Sequence, residues 1–269
     1  MEYVWAVLTV IGVALQTAPD SRQAALQVQL RPAVCRLGPL RSHWRVMAGD
    51  ALHFRADISG LTTDARNFRR CSLTLDILDP SQKLVFHDQL DNLRFPPALP
   101  SRTVAHYLTL PIRLDQKPGR YTLQLSVTDL IARRDALVQQ VFEIAPPDLA
   151  LVRLEYSSDL AALVPVAPVA CVGQKLFLNG YVTGFAVDQK TEAPALSVAC
   201  ELTDEKGERI GPQQEQEITE PLGGQRVARI QFELQVTVAG RYRAVVTVTD
   251  KITGKKATAS LPLIAWDWP

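Results

Sequence analysis

The sequence predicts an all-β protein that consists of two tandem antiparallel β-sandwich domains after an N-terminal leader. Three observations support this prediction: a long internal repeat, an alternation of apolar and polar residues within it, and turn-forming clusters between the repeated segments. The predicted units are residues 1–20 for the leader, 26–145 for the first sandwich and 147–269 for the second. A chain of 269 residues is long enough for two ordinary domains.

The internal repeat is clearest in two twelve-residue segments. "PGRYTLQLSVTD" covers residues 118–129, and "AGRYRAVVTVTD" covers residues 239–250, an offset of 121. A second pair, residues 49–60 and 173–184, aligns without a gap at an offset of 124. Because the offset drifts only through small loop changes, the pattern indicates one domain that was duplicated.

The repeated segments have the period of β-strands. In residues 121–127 and 242–248 every second side chain is apolar or aromatic, so each segment has one face suited to a core. Threonine and valine are frequent, as they are on half-buried strands. Six or seven such strands in each unit, separated by turn signals, are typical of a two-sheet antiparallel sandwich.

Each unit is predicted to end in a hairpin whose turn begins with an aspartate. Asp129 begins the turn "DLIARRD", and Asp250 begins the turn "DKITGK". A carboxylate at such a position accepts hydrogen bonds from backbone N–H groups just after it, so we assign both aspartates a structural role. Gly119 and Gly240 are predicted to form the turns that precede the two tyrosine-containing strands.

The N-terminal segment is predicted to be a secretory leader. Residues 4–15 are uncharged and mostly apolar, which is the length of a signal-peptide core and too short to span roughly 30 Å of bilayer as a helix. The segment begins with Glu2 and lacks the usual early Lys or Arg, so a membrane tether and a native first strand or helix remain alternatives. No later apolar run is long enough to span a membrane, and we expect an exported protein: periplasmic, cell-surface or extracellular.

The charge is unevenly distributed along the chain. Residues 26–146 hold 16 Lys and Arg against 11 Asp and Glu, whereas residues 147–269 hold 12 against 15. Fourteen of the 16 cations in the first unit are arginines, which suits an anionic polymer or an acidic protein face. A solvated surface without a partner is the alternative. No basic run or recognition helix supports binding to nucleic acid.

The four cysteines are divided equally between the units. Cys35–Cys71 and Cys171–Cys200 could each form one disulfide in an exported chain. However, Cys71 and Cys200 each align with a leucine of the other copy, which favours small buried thiols. None of the four lies in a CxxC arrangement.

The tyrosine segments resemble the penultimate strand of immunoglobulin-like and fibronectin type III-like sandwiches. In those domains a tyrosine at the start of the strand bonds back to the preceding loop, and Tyr121 and Tyr242 match that position. Asp115 matches the upstream acidic residue, whereas the second copy has Thr237 near there. "VTDKITGKKA" also resembles a motif of poorly characterised bacterial exported sandwich repeats. The resemblance implies the fold and leaves the function open.

The sequence contains no recognisable catalytic, cofactor-binding or metal-binding motif. All four histidines lie in the first copy and are expected at solvent-facing or edge positions: His53 should point outward because it alternates with core-facing neighbours, and His106 should lie at the end of a sheet. No compact histidine spacing, nucleophile elbow or phosphate-binding glycine loop occurs. Calcium held between loops by scattered aspartates is a weaker option. We therefore predict no enzyme activity and no cofactor.

The function that the sequence favours is a non-catalytic cell-envelope binding or scaffolding module. We expect it to contact another envelope protein through edge strands, loops or the inter-domain groove. The first alternative is a carbohydrate-binding accessory, for which Trp44, Trp266 or Trp268 would offer an exposed aromatic surface. For the two tryptophans of the terminal "IAWDWP", packing on the domain's own edge competes with that role. The second alternative is a hydrolase with an unrecognised polar pocket that converges on His53, His106 or aspartates.

Overall fold

A computed structural model of the chain describes residues 11–12, 25–96 and 103–267. These residues form β-strands and loops, and no helix occurs among them. None of the described segments is therefore a helix of the length and hydropathy needed to cross a membrane. The predicted leader, residues 1–20, lies outside the described residues except for strand β1, Ile11–Gly12, whose backbone pairs with β7.

Two sheets form the N-terminal half, which we define as the described residues up to 145. The strand order is β1-β7-β4-β2 in one sheet and β3-β9-β8-β5-β6 in the other. All pairs are antiparallel except β3 and β9, which are parallel. The strands are β2 (Gln27–Ala33), β3 (Arg45–Val46), β4 (Ala51–Ser59), β5 (Arg69–Leu78), β6 (Leu84–Phe95), β7 (Thr103–Pro111), β8 (Gly119–Asp129) and β9 (Arg134–Ile144).

The C-terminal half, residues 147–267, repeats the arrangement of eight of these strands. The edge of one sheet differs, because β1 lies beside β7 in the first half, whereas β11 lies beside β10, the counterpart of β2, in the second. Its sheets have the orders β11-β10-β13-β16 and β12-β18-β17-β14-β15, again with a single parallel pair, β12 and β18. The strands are β10 (Ala150–Ser157), β11 (Pro165–Val166), β12 (Val169–Cys171), β13 (Lys175–Thr183), β14 (Leu196–Asp204), β15 (Gln214–Ile218), β16 (Val227–Gln235), β17 (Gly240–Asp250) and β18 (Lys256–Trp266). The sequence repeat thus corresponds to a repeat of strand order.

Each half has its own hydrophobic core between its two sheets. In the N-terminal half, Phe54 of β4 and Leu125 of β8 belong to one cluster of buried side chains. In the C-terminal half, Leu178 of β13 and Val246 of β17 occupy the corresponding places in a second cluster. Burial of each such side chain contributes roughly 1.5–3 kcal/mol, so the alternation seen in the sequence supplies most of the packing energy.

The prediction that His53 points to solvent is wrong. His53 is 6% exposed, because its outer face is covered where the two halves meet. Burial, reinforced by the positive charges of Arg36, Arg41 and Arg153, lowers its pKa to about 3. His106 is also buried rather than at an exposed edge: its side chain points between the sheets and is 0% exposed.

The two disulfides considered from the sequence do not form in the structure, where all four cysteines are free thiols. Cys71 lies in the N-terminal core beside Asp129, and Cys35 lies at the junction near Tyr156. Burial raises the pKa of the Cys71 thiol to about 12, which keeps it protonated and unreactive. Cys200 is likewise buried in the C-terminal core and Cys171 is partly exposed. The alternative of small buried thiols therefore describes Cys35, Cys71 and Cys200.

The two halves contact each other directly at the junction. The backbone N–H of Arg153, which has a left-handed φ of 51° at a bulge in β10, donates to Asp50 Oδ1 at 2.9 Å. Val34 of the N-terminal half packs against the C-terminal core. Arg36 and Glu155 form an ion pair of 3.9 Å across the same boundary. The short Pro-containing connection is thus supported by polar and apolar contacts.

Candidate functional site

The residues that the two copies share form the framework of each half. Tyr121 Oη donates to the carbonyl of Lys117 at 2.9 Å, and Tyr242 Oη donates to the carbonyl of Val238 at 2.8 Å. Gly119 begins β8 with a φ of 150°, and a Cβ there would lie 2.8 Å from Pro80, so glycine is required. Gly240 begins β17 at the equivalent position but has no positive φ, and a Cβ there would lie 3.2 Å from Tyr242 Oη.

Asp129 and Asp250 organise the same corner in each half. Asp129 Oδ1 accepts N–H groups of Ile131 and Ala132 in its own turn, and Oδ2 accepts the N–H of Thr62 from a neighbouring loop at 2.8 Å. Asp250 makes the corresponding contacts with Ile252, Thr253 and Ala186. Burial alone would raise the pKa of Asp129, but the backbone donors outweigh it and lower that pKa. Because both halves contain this arrangement, we assign it to folding.

The tryptophans and histidines do not converge on one site. Trp44 is half-buried and packs on Phe54 with ring centroids 6.0 Å apart, whereas Trp266 is 61% exposed and Trp268 lies outside the described residues. Within the described part of the chain, no group of three or more His, Cys, Asp and Glu side chains is placed to hold a metal ion. His53 bonds Thr109 at 3.0 Å.

A pocket in the N-terminal half is the strongest candidate. It has a volume of about 380 Å³ and lies at the end of β5 and β6, beside the loop that joins β4 to β5. Three arginines line it, and no carboxylate of the described residues forms an ion pair with any of them. We call it the arginine pocket; its lining residues are Asp64, Ala65, Arg66, Arg70, Asn92 and Arg94.

The strand register places two of these arginines side by side. Arg70 of β5 and Arg94 of β6 are direct cross-strand partners. Like charges in such positions repel, so this pairing weakens the sheet locally. Arg94 Cζ lies 3.7 Å from the centroid of the Phe68 ring, which orients its guanidinium by a cation–π contact. Asn92 has a left-handed φ of 52° near a bulge, a backbone feature often found beside functional sites.

Asp64 leaves the pocket positively charged. Its Oδ1 accepts the backbone N–H groups of Arg66 and Phe68 at 2.8 and 2.9 Å, which fixes the loop. These backbone bonds, together with the charges of Arg94 and Arg70, lower the pKa of Asp64, so it is ionised at neutral pH. Three guanidinium groups and one carboxylate leave a net charge of +2.

The corresponding corner of the C-terminal half lacks the arginine pair. It keeps one cation, because Lys190, whose N–H donates to Asp188 as that of Arg66 donates to Asp64, takes the place of Arg66. Leu130 N–H donates to the carbonyl of Arg70, and Lys251 N–H donates to the carbonyl of Ala195, so Ala195 is the structural equivalent of Arg70. Thr219, which follows β15, stands at the place of Arg94. In that corner the Lys251 ammonium is neutralised by Glu217 at 2.6 Å. The pairing of Arg70 with Arg94 is therefore a property of one copy and is not required by the fold.

The arrangement suits an anionic ligand. Each guanidinium offers a planar fork of N–H donors, which matches the oxygens of a carboxylate or phosphate and stays charged at every physiological pH. The excess of arginine in this half indicated such a role from the sequence. The pocket itself was missed, because Arg66, Arg70 and Arg94 converge only through the bulged register of β5 and β6. A comparison of the aligned copies at Arg70 and Ala195 is the signal that could have located it.

Replacing Arg70 with glutamine is expected to raise the free energy of unfolding by about 0.2–1 kcal/mol at low salt, because it removes a like-charge pair. The increase should shrink as salt screens the repulsion. Urea denaturation at low and high ionic strength measures both effects. Arg120 is the matched control, since it faces Glu143 across β8 and β9, and Arg120→Gln should not stabilise the protein. Equal effects of the two substitutions would contradict the repulsive pairing.

A second concave feature lies at the junction. This groove of about 640 Å³ is lined by both halves, including Arg41, Asp50 and Asp148. Nε and Nη2 of Arg41 are buried without a hydrogen-bond partner among the described residues. Arg41 is nevertheless paired electrostatically with Asp50, and Asp148 with Lys255 at 2.7 Å, so the groove carries balanced charge. It has the character of an inter-domain contact more than of a ligand site.

The structure is that of an all-β protein with two repeated halves and a cationic pocket in the first of them. The sequence matches no protein-family model and no curated protein. Solved structures with some similarity include the C-terminal domain of the Streptococcus agalactiae AgI/II polypeptide BspA, with 9% identity over 88% of this chain and 100% of that chain. The C-terminal domain of the Streptococcus pyogenes antigen I/II-family protein AspA has 10% identity over 89% and 99%. A family 123 glycoside hydrolase from Clostridium perfringens has 11% identity over 45% and 27%. All three have a TM-score of 0.31, and no inference is drawn from them.

Proposed function

We propose that this chain is a non-catalytic binding module that recognises an acidic group of a partner protein in the arginine pocket. The observation that carries the proposal is the cross-strand pair Arg70 and Arg94, to which Arg66 adds a third guanidinium against the single carboxylate of Asp64. Such a like-charge pair lowers the stability of the sheet. The second copy folds without it, because Ala195 and Thr219 stand at the equivalent positions. An anionic ligand would offset the repulsion.

The proposal includes the finer description of the fold and its location. We infer two tandem immunoglobulin-like sandwich domains in an exported, cell-envelope protein. The matching strand orders, the two separate cores and the tyrosine bonds at Lys117 and Val238 support the first part. The inference of export and of a cell-envelope partner is based on the leader-like N-terminal segment. Mass spectrometry of the mature protein tests it by showing whether this segment has been removed.

The two alternatives have weaker support. For carbohydrate binding, Trp266 is the one tryptophan of the described residues whose ring is exposed, because Trp44 packs against the N-terminal core. Hydrolysis would need acid and base groups that meet in a pocket. His53 and His106 are buried, and neither lines the arginine pocket or the junction groove.

The test is the affinity of the full chain for a fluorescent glutamate-rich peptide, measured by anisotropy at low salt. The variant Arg66→Gln/Arg70→Gln/Arg94→Gln should bind at least about tenfold more weakly, since each charge-assisted hydrogen bond contributes roughly 1.5–3 kcal/mol. The control Arg31→Gln/Arg113→Gln/Arg120→Gln removes the same charge from other surfaces of the same half. Equal losses in both variants would show that net charge attracts the peptide and would refute the pocket as the site.

A further inference from the structure

We propose that the group recognised in the arginine pocket is a doubly charged phosphomonoester on the partner protein, in preference to a carboxylate. This inference rests on the proposed function and specifies the chemistry of its ligand. The net charge of the pocket favours a ligand with two negative charges. The pocket holds three guanidinium groups and one ionised carboxylate, so a monoanion would leave a positive charge uncompensated, whereas a dianion would neutralise the site.

The number and placement of the N–H donors also favour a phosphoryl group. Arg70 and Arg94 face the pocket from neighbouring strands, and Arg66 approaches from the loop at one side. A carboxylate has two oxygens in one plane, and a single guanidinium fork can engage both of them. A phosphoryl group presents three acceptor oxygens arranged around a tetrahedral centre, so it can accept from several forks that approach from different directions.

The carboxylate of the pocket is fixed by the loop that carries it. Asp64 Oδ1 is engaged by the N–H groups of Arg66 and Phe68, which holds the side chain against its own loop. The Phe68 ring in turn holds the Arg94 guanidinium at 3.7 Å. Part of the site is therefore oriented before a ligand arrives, which lowers the entropy lost on binding. A volume of about 380 Å³ leaves room for a phosphoryl group and the side chain that carries it.

A dianion makes a specific prediction about pH. The second ionisation of a phosphomonoester has a pKa of about 6, so the group loses a charge as the pH falls from 7.5 to 5.5. The titratable groups that line the pocket are Asp64, Arg66, Arg70 and Arg94. Arginine stays protonated throughout this range, and the pKa of Asp64 lies below its ordinary acidic value. Any loss of affinity between these two pH values would therefore come from the ligand.

The experiment compares three peptides of one sequence that carry phosphoserine, aspartate or serine at the central position. Anisotropy at pH 7.5 with the full chain should show at least tenfold tighter binding of the phosphoserine peptide than of the aspartate peptide. At pH 5.5 this preference should fall severalfold. The Arg66→Gln/Arg70→Gln/Arg94→Gln variant should lose the preference, and the Arg31→Gln/Arg113→Gln/Arg120→Gln control should keep it.

The outcomes separate the two proposals. Equal binding of the phosphoserine and aspartate peptides, with both lost in the pocket variant, would overturn the phosphomonoester and leave the acidic-ligand function intact. A preference that does not change with pH would also overturn it. If the pocket variant binds all peptides as the native chain does, both proposals fail. Tighter binding to phosphatidic acid vesicles than to the phosphoserine peptide would overturn the assignment of the phosphoryl group to a protein.

Discussion

Asp129→Ala is expected to lower the free energy of unfolding of the N-terminal half by about 3–5 kcal/mol, the usual cost of breaking a buried charged network. The Asp129 side chain is 0% exposed and accepts hydrogen bonds from Ile131, Ala132 and Thr62. Alanine would leave these N–H groups without a partner and open a cavity. Arg134, which lies 3.4 Å from the carboxylate, would lose its counter-charge as well.

Chemical denaturation of the full chain measures this loss. Asp79→Ala is the matched control, because Asp79 also accepts backbone N–H groups in its turn, from Ser81 and Lys83, but its carboxylate is exposed to solvent. The control should cost much less than Asp129→Ala. Equal free energies of unfolding for the two variants would contradict a special role of the buried Asp129 carboxylate. Asp250→Ala should have the corresponding effect on the C-terminal half, with a separate transition if the halves unfold independently.

The pH dependence of the Asp129 contribution follows from the direction of its pKa shift. The folded-state pKa is lowered below the ordinary value of 3.8, so the carboxylate favours the folded state when ionised. Its contribution is fully present above the unfolded-state pKa and is lost as the pH falls through the folded-state pKa. Between pH 5 and 7 the cost of Asp129→Ala should therefore stay constant.

The second large effect is a loss of stability in mild acid caused by two buried histidines. Burial lowers the pKa of His106 to about 4, and neither of its ring nitrogens has a hydrogen-bond partner among the described residues. The pKa of His53 is lowered to about 3. Since both folded-state values lie below the unfolded value of about 6.5, the unfolded chain takes up protons first as the pH falls. Their contribution is complete above pH 6.5 and declines below it.

Between pH 7 and pH 5 each histidine should remove about 2 kcal/mol from the free energy of unfolding, at 1.36 kcal/mol per pH unit below 6.5. His106→Leu should abolish about half of the combined decline, because it replaces an unpaired imidazole with an apolar side chain. The variant His43→Asn is the control for replacing a histidine that is exposed to solvent. Identical pH profiles for the native chain and His106→Leu would contradict the prediction. Denaturant midpoints at a series of pH values supply the measurement.

The fold was predictable to the extent that its signals are local and repeated. Strict alternation around Leu123 and Val246 indicates one buried face per strand, and the duplicated "GRY" segments define corresponding positions in both halves. His53 shows where this reasoning stops. Alternation separates the two faces of a strand but does not reveal what covers the outer face, and the junction between the halves covers it.

The candidate site was less predictable for a related reason. Arg70 and Arg94 are 24 positions apart, and their pairing depends on a bulge in the β5–β6 ladder that no residue pattern specifies. The surplus of arginine indicated the half that contains the pocket and the kind of ligand that we propose for it. The location of the arginine pocket is visible only in the strand register. The contrast between Arg70 and Ala195 of the second copy shows that the fold does not require the arginine.

The central claim is that the arginine pocket is the anion site of this protein, and arginine side-chain NMR tests it most directly. The Nε–Hε resonances of the ¹⁵N-labelled full chain are followed while the glutamate-rich peptide is added. The resonances of Arg66, Arg70 and Arg94 should shift together and saturate at one dissociation constant, and those of Arg113 and Arg120 should remain in place. Similar shifts for all exposed arginines, or unchanged pocket resonances at saturating peptide, would contradict the claim.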